Sequence, residues 1–183
     1  MLESILSSDP SLPFDFRSPS VPGLEVPRQF YWVKSSQPPL AGMQLPFPGT
    51  PWEELFRSGF RWIVCLCSDR PCYDPSPLRF LVAVELCDLF ETELPEDPEK
   101  EEDSIRIISD AVVGRLERGE GVIVHCAGGR GRTGTVLGSA LVKLGEPPEK
   151  VVRYLDELHR ARGKAGWPES PWQSEVVHGV LRD

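Results

Sequence analysis

The sequence has no run of 18 consecutive apolar residues, so no membrane-crossing helix is expected. Its first residues, Met1-Leu2-Glu3-Ser4, carry neither a basic stretch nor a sustained apolar one, so a secretory signal is not expected. Basic charge is also short. Lys and Arg total 20 against 28 Asp and Glu, for a formal net charge of −8. That balance argues against nucleic acid as a partner, because duplex binding needs a basic footprint. It also means that any site for a phosphorylated ligand must be locally positive within an acidic whole.

Paired cysteines are missing too. The five, Cys65, Cys67, Cys72, Cys87 and Cys126, are odd in number, which fits reduced thiols in a cytoplasmic protein better than a disulfide framework. Cys65, Cys67 and Cys72 suggest a metal cluster, but no fourth ligand stands nearby at finger spacing, so no metal is expected. What is present is ordinary for a globular domain: 183 residues, 40% hydrophobic and 26% charged.

About half of the 19 prolines fall in the first 50 residues. Residues 1–28 are rich in Pro and Ser without periodicity and read as an arm, extended or partly disordered. Residues 29–183 read as the domain. Short strands are expected at 29–33 and 40–43 and a short helix at 52–57, begun after Pro51 and ended by Gly59. The apolar runs at 61–67, 80–86 and 121–125 have the length of buried strands. The acidic stretch 91–103 reads as a solvated loop leading into a helix capped by Ser104, with Ile105, Ile108, Val112 and Leu116 on one face. Helices follow at 132–144, 149–162 and 171–181. Strands alternating with helices predict an α/β fold, with a central mainly parallel sheet of four or five strands flanked by helices.

The chemistry concentrates in residues 124–134, VHCAGGRGRTG. A strand enters a glycine-rich loop and the loop opens a helix. Main-chain N–H groups of such a loop, with the helix N-terminus behind them, make an anion site. Gly128, Gly129 and Gly131 permit tight curvature and close approach. Cys126 begins the loop, where the same field favours the nucleophilic thiolate. Arg132, six residues on, carries a planar fork suited to two phosphate oxygens.

His125, Cys126, Arg132, Thr133 and Gly134 reproduce the His-Cys-x5-Arg-Thr-Gly signature, and the chain resembles the protein-tyrosine phosphatase superfamily, in its compact dual-specificity type. The resemblance covers roughly residues 29–183 and implies a phosphotyrosine protein phosphatase-like fold. Rhodanese-type loops are shorter and lack the Arg-Thr-Gly ending.

The resemblance implies catalysis without a cofactor. Cys126 attacks phosphorus, and Ala127, Gly128, Gly129, Arg130, Gly131 and Arg132 hold the phosphate. Thr133 assists departure of the thiolate, and His125 supports the loop. It also implies an aspartate acid, for which Asp88, just after the 80–86 run, is the first candidate and Asp97 the second, because the Trp-Pro-Asp triplet is absent. Gln173 lies in a segment where relatives place a glutamine beside the attacking water; the other reading is a surface residue. Arg130 is expected to face outward, toward substrate or solvent. Cys67 is a candidate partner for Cys126 on oxidation, or else a small buried hydrophobe.

The expected substrate is a phosphorylated protein or small phosphomonoester. The alternatives are non-protein phosphates such as phosphoinositides, against which the lack of a loop lysine weighs, and a catalytically inactive phosphate-binding module.

Overall fold

The computed structural model describes residues 19–181. Five strands form one sheet in the order β1-β2-β5-β3-β4. They are β1 (Phe30–Lys34), β2 (Leu40–Met43), β3 (Phe60–Cys65), β4 (Arg79–Ala83) and β5 (Gly121–His125). The β1–β2 pair is antiparallel and every other neighbouring pair is parallel. The fold class expected from the alternation of elements is the one observed. No helix among the described residues is long and apolar enough to cross a membrane.

Strand β5 is the axis. All five of its residues are buried, as a parallel strand covered on both faces requires. Val122 and Val124 point into one apolar cluster and Ile123 into the other, so the two-residue period of the strand divides the core. The larger cluster lies under α2 (Pro98–Glu117), α3 (Gly131–Lys143), α4 (Pro148–Ala161) and α5 (Pro171–Gly179). The smaller one lies under α1 (Trp52–Arg57) and the chain before β1. Helix α3 is buried at every residue from Gly131 to Val142 and packs against α2, α4 and α5. The start of this helix is therefore held from all sides.

Three expectations need correction. The run at 80–86 is not one buried strand. Strand β4 stops at Ala83, sits at the sheet edge and is only half-buried. Beyond it, Val84 and Leu86 donate to the carbonyls of Cys65 and Leu66, and Cys67 bridges Glu85, so the chain bends across the end of β3. Helix α2 begins six residues before Ser104. Asp97 caps it, accepting from the Lys100 N–H at 3.1 Å, with Pro98 in the first turn and Glu99 and Glu101 beside the positive end. Ser104 is inside the helix, donating to the Lys100 carbonyl. The expected inner face, Ile105, Ile108, Val112 and Leu116, is buried.

Of the Pro/Ser-rich segment, residues 1–18 lie outside the described residues. Residues 19–28 pack on the domain: Val21 is buried in the smaller cluster and the Trp32 indole donates to the Pro19 carbonyl.

Candidate active site

Strand β5 ends at His125 and α3 begins at Gly131, with Cys126 to Arg130 between them. Each carbonyl of this loop has a partner. Cys126 O accepts from His125 Nδ1 (3.2 Å), Ala127 O from the Leu45 N–H (2.9 Å), and Gly128 O from Arg162 (3.5 Å). Gly129 O accepts from both the Tyr31 hydroxyl (3.0 Å) and Arg162 (2.6 Å), and Arg130 O from the Gly134 N–H (2.7 Å). In a planar trans peptide the N–H opposes the C=O. With the carbonyls turned out to these partners, the N–H groups of residues 127–131 face the other way, and the helix N-terminus adds its partial positive charge on that side.

Of the three loop glycines, Gly129 is required by backbone packing, and Gly131 is crowded by the ends of the Glu169 and Gln173 side chains. Gly129 has φ of +63°, and a Cβ there would lie 2.4 Å from the Met43 carbonyl oxygen. A Cβ on Gly131 would lie 2.1 Å from a Glu169 carboxylate oxygen. A Cβ on Gly128 would meet nothing, so curvature does not explain that residue.

Cys126 is buried at 3% exposure and Arg132 at 7%. The Arg132 fork reaches Asp88 (Nη2 to Oδ2, 2.7 Å) and the Leu86 carbonyl (3.4 Å), while its Nε has no partner among the described residues. The Thr133 hydroxyl is also buried with no partner among them. Asp88 thus stands at the loop's mouth with its side chain nearly half exposed. Asp97 is occupied as the cap of α2.

Arg130 does not face outward. Its Nε donates to the Gly166 carbonyl (2.5 Å) and its Nη1 pairs with Glu169 (3.0 Å), because the segment before α5 folds over the loop. Gln173 is no surface residue. It is buried at 2%, and its Oε1 accepts from the Glu169 and Ser170 N–H groups, closing a capping box at the start of α5. Its Nε2 would lie 2.8 Å from a Cβ on Gly131, which puts the side chain against the loop.

His125 is fully buried between two polar contacts. A carbonyl oxygen only accepts, so Nδ1 carries the hydrogen toward Cys126 O. That leaves the Nε2 lone pair to accept from the Tyr73 hydroxyl at 2.5 Å. Cys67 is half-buried, with its sulfur 4.0 Å from that of Cys65. The hydrogen bond from Cys67 holds the Cys65 thiol low against the opposing effect of burial, and Cys67 is pushed up by giving that bond.

Four groups went unnoticed in the sequence. Arg162, buried at 3%, braces the carbonyls of Gly128 and Gly129 and ties them to those of Pro27 and Arg28. It stacks over the Tyr31 ring, 4.2 Å from guanidinium carbon to ring centroid. His159 accepts from Arg162 at 2.9 Å, and burial and then the Arg162 charge hold it well below the ordinary histidine value. The Glu169 carboxyl is pushed up by burial, with Arg130 acting in the opposite direction. None of these has a local signature. A helical RxR or a lone Glu after Pro looks like surface, and only the fold brings them together.

The arrangement offers an anion cradle, a cysteine at its base, a guanidinium at its side and a carboxyl at its rim. Comparison with known proteins agrees with that chemistry. The family model described as "PTP-SAK: Swiss Army Knife protein, DSP-PTPase phosphatase domain" matches residues 27–167. Among solved structures, Tk-PTP in the active form is 23% identical, covering 77% of this chain and 90% of that one at a TM-score of 0.57. A mouse putative dual specificity phosphatase complexed with zinc tungstate is 18% identical, covering 78% and 84% at 0.59. PTPMT1 in complex with PI(5)P is 14% identical, covering 77% and 88% at 0.57. These likenesses establish a shared fold.

Proposed function

We propose, from the premise that the chain belongs to the family of DSP-PTPase phosphatase domains and is a cysteine-based phosphatase, that it hydrolyses phosphotyrosine, and in part phosphoserine and phosphothreonine, in proteins. Cys126 is the nucleophile. Its thiolate attacks phosphorus, the S–P bond forms, and the bond to the leaving oxygen breaks as Asp88 gives that oxygen its proton. Water then attacks phosphorus and gives a proton back to Asp88, and the S–P bond breaks. The Thr133 hydroxyl receives the departing sulfur. Arg132 and the N–H groups of residues 127–131 stabilise the equatorial oxygens throughout.

The observation that carries this reading is the outward tethering of five successive carbonyls, from Cys126 to Arg130, beside an arginine whose Nε has no partner among the described residues. The peptide edge opposite those carbonyls gathers N–H donors on one side at a helix N-terminus. An oxyanion matches all of those donors at once.

A protein substrate is favoured over a phosphoinositide by the loop, which holds no lysine, and by the occupied Arg130, whose charge is already spent on Glu169. PTPMT1, solved with PI(5)P, shares only the fold at 14% identity. Gln173 supports the loop by capping α5 against Gly131. Residues 19–28 belong to the catalytic domain, on which they pack.

The test is hydrolysis of an aryl phosphate followed by a panel of phosphotyrosine, phosphoserine and phosphothreonine peptides and phosphoinositide vesicles. Turnover that disappears in Cys126→Ser and is fastest on phosphotyrosine peptides is the expected outcome. Turnover surviving that substitution overturns the mechanism. Faster turnover of the vesicles overturns the substrate class, and peptide binding with no turnover makes the protein a binding module.

A further inference from the structure

We propose that Cys65, Cys67 and His125 form a binding site for one thiophilic divalent cation of the zinc and cadmium class, set behind the catalytic loop.

The three residues are brought together by strand pairing. Cys65 ends β3 and His125 ends β5, and the parallel register places them directly side by side. Cys67 follows two residues later, where the two-residue alternation returns its side chain toward Cys65. Its backbone bridge to Glu85 holds that stretch extended.

One donor atom from each residue lies within 4.8 Å of the other two, and the two sulfurs are 4.0 Å apart. Tetrahedral zinc with Zn–S bonds of about 2.3 Å separates two sulfurs by about 3.8 Å. The sulfur pair is therefore within a few tenths of an ångström of that spacing, and the imidazole nitrogen, within 4.8 Å of both sulfurs, closes by at most about 1.3 Å to complete the site. The sequence suggested Cys72 as the third ligand. Strand order supplies His125 instead, 58 residues after Cys67.

The histidine presents the correct atom. Its Nδ1 hydrogen is committed to the Cys126 carbonyl, so Nε2 holds the lone pair, now accepting from Tyr73. Binding proceeds with a balanced exchange: two thiols release two protons to solvent, two S–metal bonds and one N–metal bond form, and the Tyr73 hydroxyl moves off Nε2. Two thiolates and a neutral imidazole around a dication sum to no net charge, which keeps the cost of burying the ion low. Access is present, because Cys65, Cys67, Cys72 and Tyr73 line a cavity of about 770 Å³ that also touches Ala127 of the catalytic loop. The ion takes no part in hydrolysis as proposed above.

The test uses Cys126→Ser protein, so that the nucleophile cannot bind the metal and the result does not depend on the hydrolysis reading. Cobalt(II) is titrated with thiols kept reduced, followed by thiolate-to-metal charge-transfer absorbance, and then displaced with zinc. One equivalent bound, with the absorbance lost and affinity lowered at least tenfold on adding Cys65→Ser or Cys67→Ser, is expected. Cys72→Ser and Cys87→Ser keep both. Circular dichroism checks that each variant is folded. No uptake, uptake unchanged in folded Cys65→Ser and Cys67→Ser, or uptake that follows Cys72 or Cys87 overturns the proposal.

Discussion

The two sides of the site are built differently. The loop from Cys126 to Arg130 is bound at every carbonyl, by β1, by the chain after β2 and by the end of α4. The segment carrying Asp88 runs over the surface between β4 and α2. It is anchored by Leu86 and Leu89, both buried in the larger cluster, and by a few polar tethers: the Cys87 N–H to Glu101 (2.7 Å), the Phe90 N–H to Glu93 (2.8 Å), and Ser170 to the Glu93 carbonyl (2.7 Å). Phe90 and Leu94 stand 51% and 63% exposed on it. One side is fixed by hydrogen bonds at successive carbonyls, and the other by two buried leucines with an exposed outer face. An oxyanion site benefits from donors that need no rearrangement when charge develops. A proton donor that must meet leaving groups of different shape is better carried on a segment of low local stability.

Substitutions can break that contrast. The largest effect is expected at Asp88. Asp88→Ala lowers kcat for a peptide substrate by about 10²–10⁴-fold, while the denaturation midpoint moves little because the side chain is nearly half exposed. Arg162→Leu does the reverse in kind. It removes a donor from four carbonyls, those of Pro27 and Gly129 in buried contacts and those of Arg28 and Gly128 in half-buried ones, and is expected to cost about 3 kcal/mol of stability in a urea titration. A stability loss from Asp88→Ala larger than that from Arg162→Leu would erase the distinction.

A smaller effect sharpens it through pH. His159 is held neutral in the fold below its unfolded value of about 6.5. Between the two values the unfolded chain binds more protons, so stability rises with pH there and falls as the medium is acidified below about 6.5, by at most about 1.4 kcal/mol per pH unit for this one group. His159→Asn is expected to flatten that slope in thermal melts between pH 5 and 7. The smallest effect belongs to Asp97. Asp97→Ala removes the α2 cap, costs about 1 kcal/mol and leaves kcat within about twofold. A large fall in kcat there would move the acid from Asp88 to Asp97.

Local pattern carried the elements well. The period of the apolar runs located β5 and the inner face of α2, and Pro51 and Gly59 bracket α1 as observed. The glycine-rich stretch located the loop between β5 and α3 because its requirements are contiguous: Gly129 is demanded by the Met43 backbone pressing on the loop itself. The start of α2 was legible in Asp97-Pro98, but the charge run around it has the composition of a solvated loop. The end of β4 was not legible, because the apolar run continues while its pairing partner changes from strand to irregular backbone. Arg162, Tyr31, His159 and Glu169 left no local trace, since their roles arise only from contacts across the fold. The same holds for His125 beside Cys65, which a reading of cysteine spacing along the chain does not anticipate.

The tethers of the loop have a further consequence for a chain emerging from the ribosome. Tyr31 precedes Gly129 by 98 residues and Arg162 follows it by 33. A nascent polypeptide released before residue 162 already contains the signature in full, yet one of the clamps on its backbone has not been made. Hydrolytic competence therefore arrives late in synthesis, and a C-terminal deletion reaching α4 should silence the protein while leaving Cys126, Arg132 and Asp88 in place.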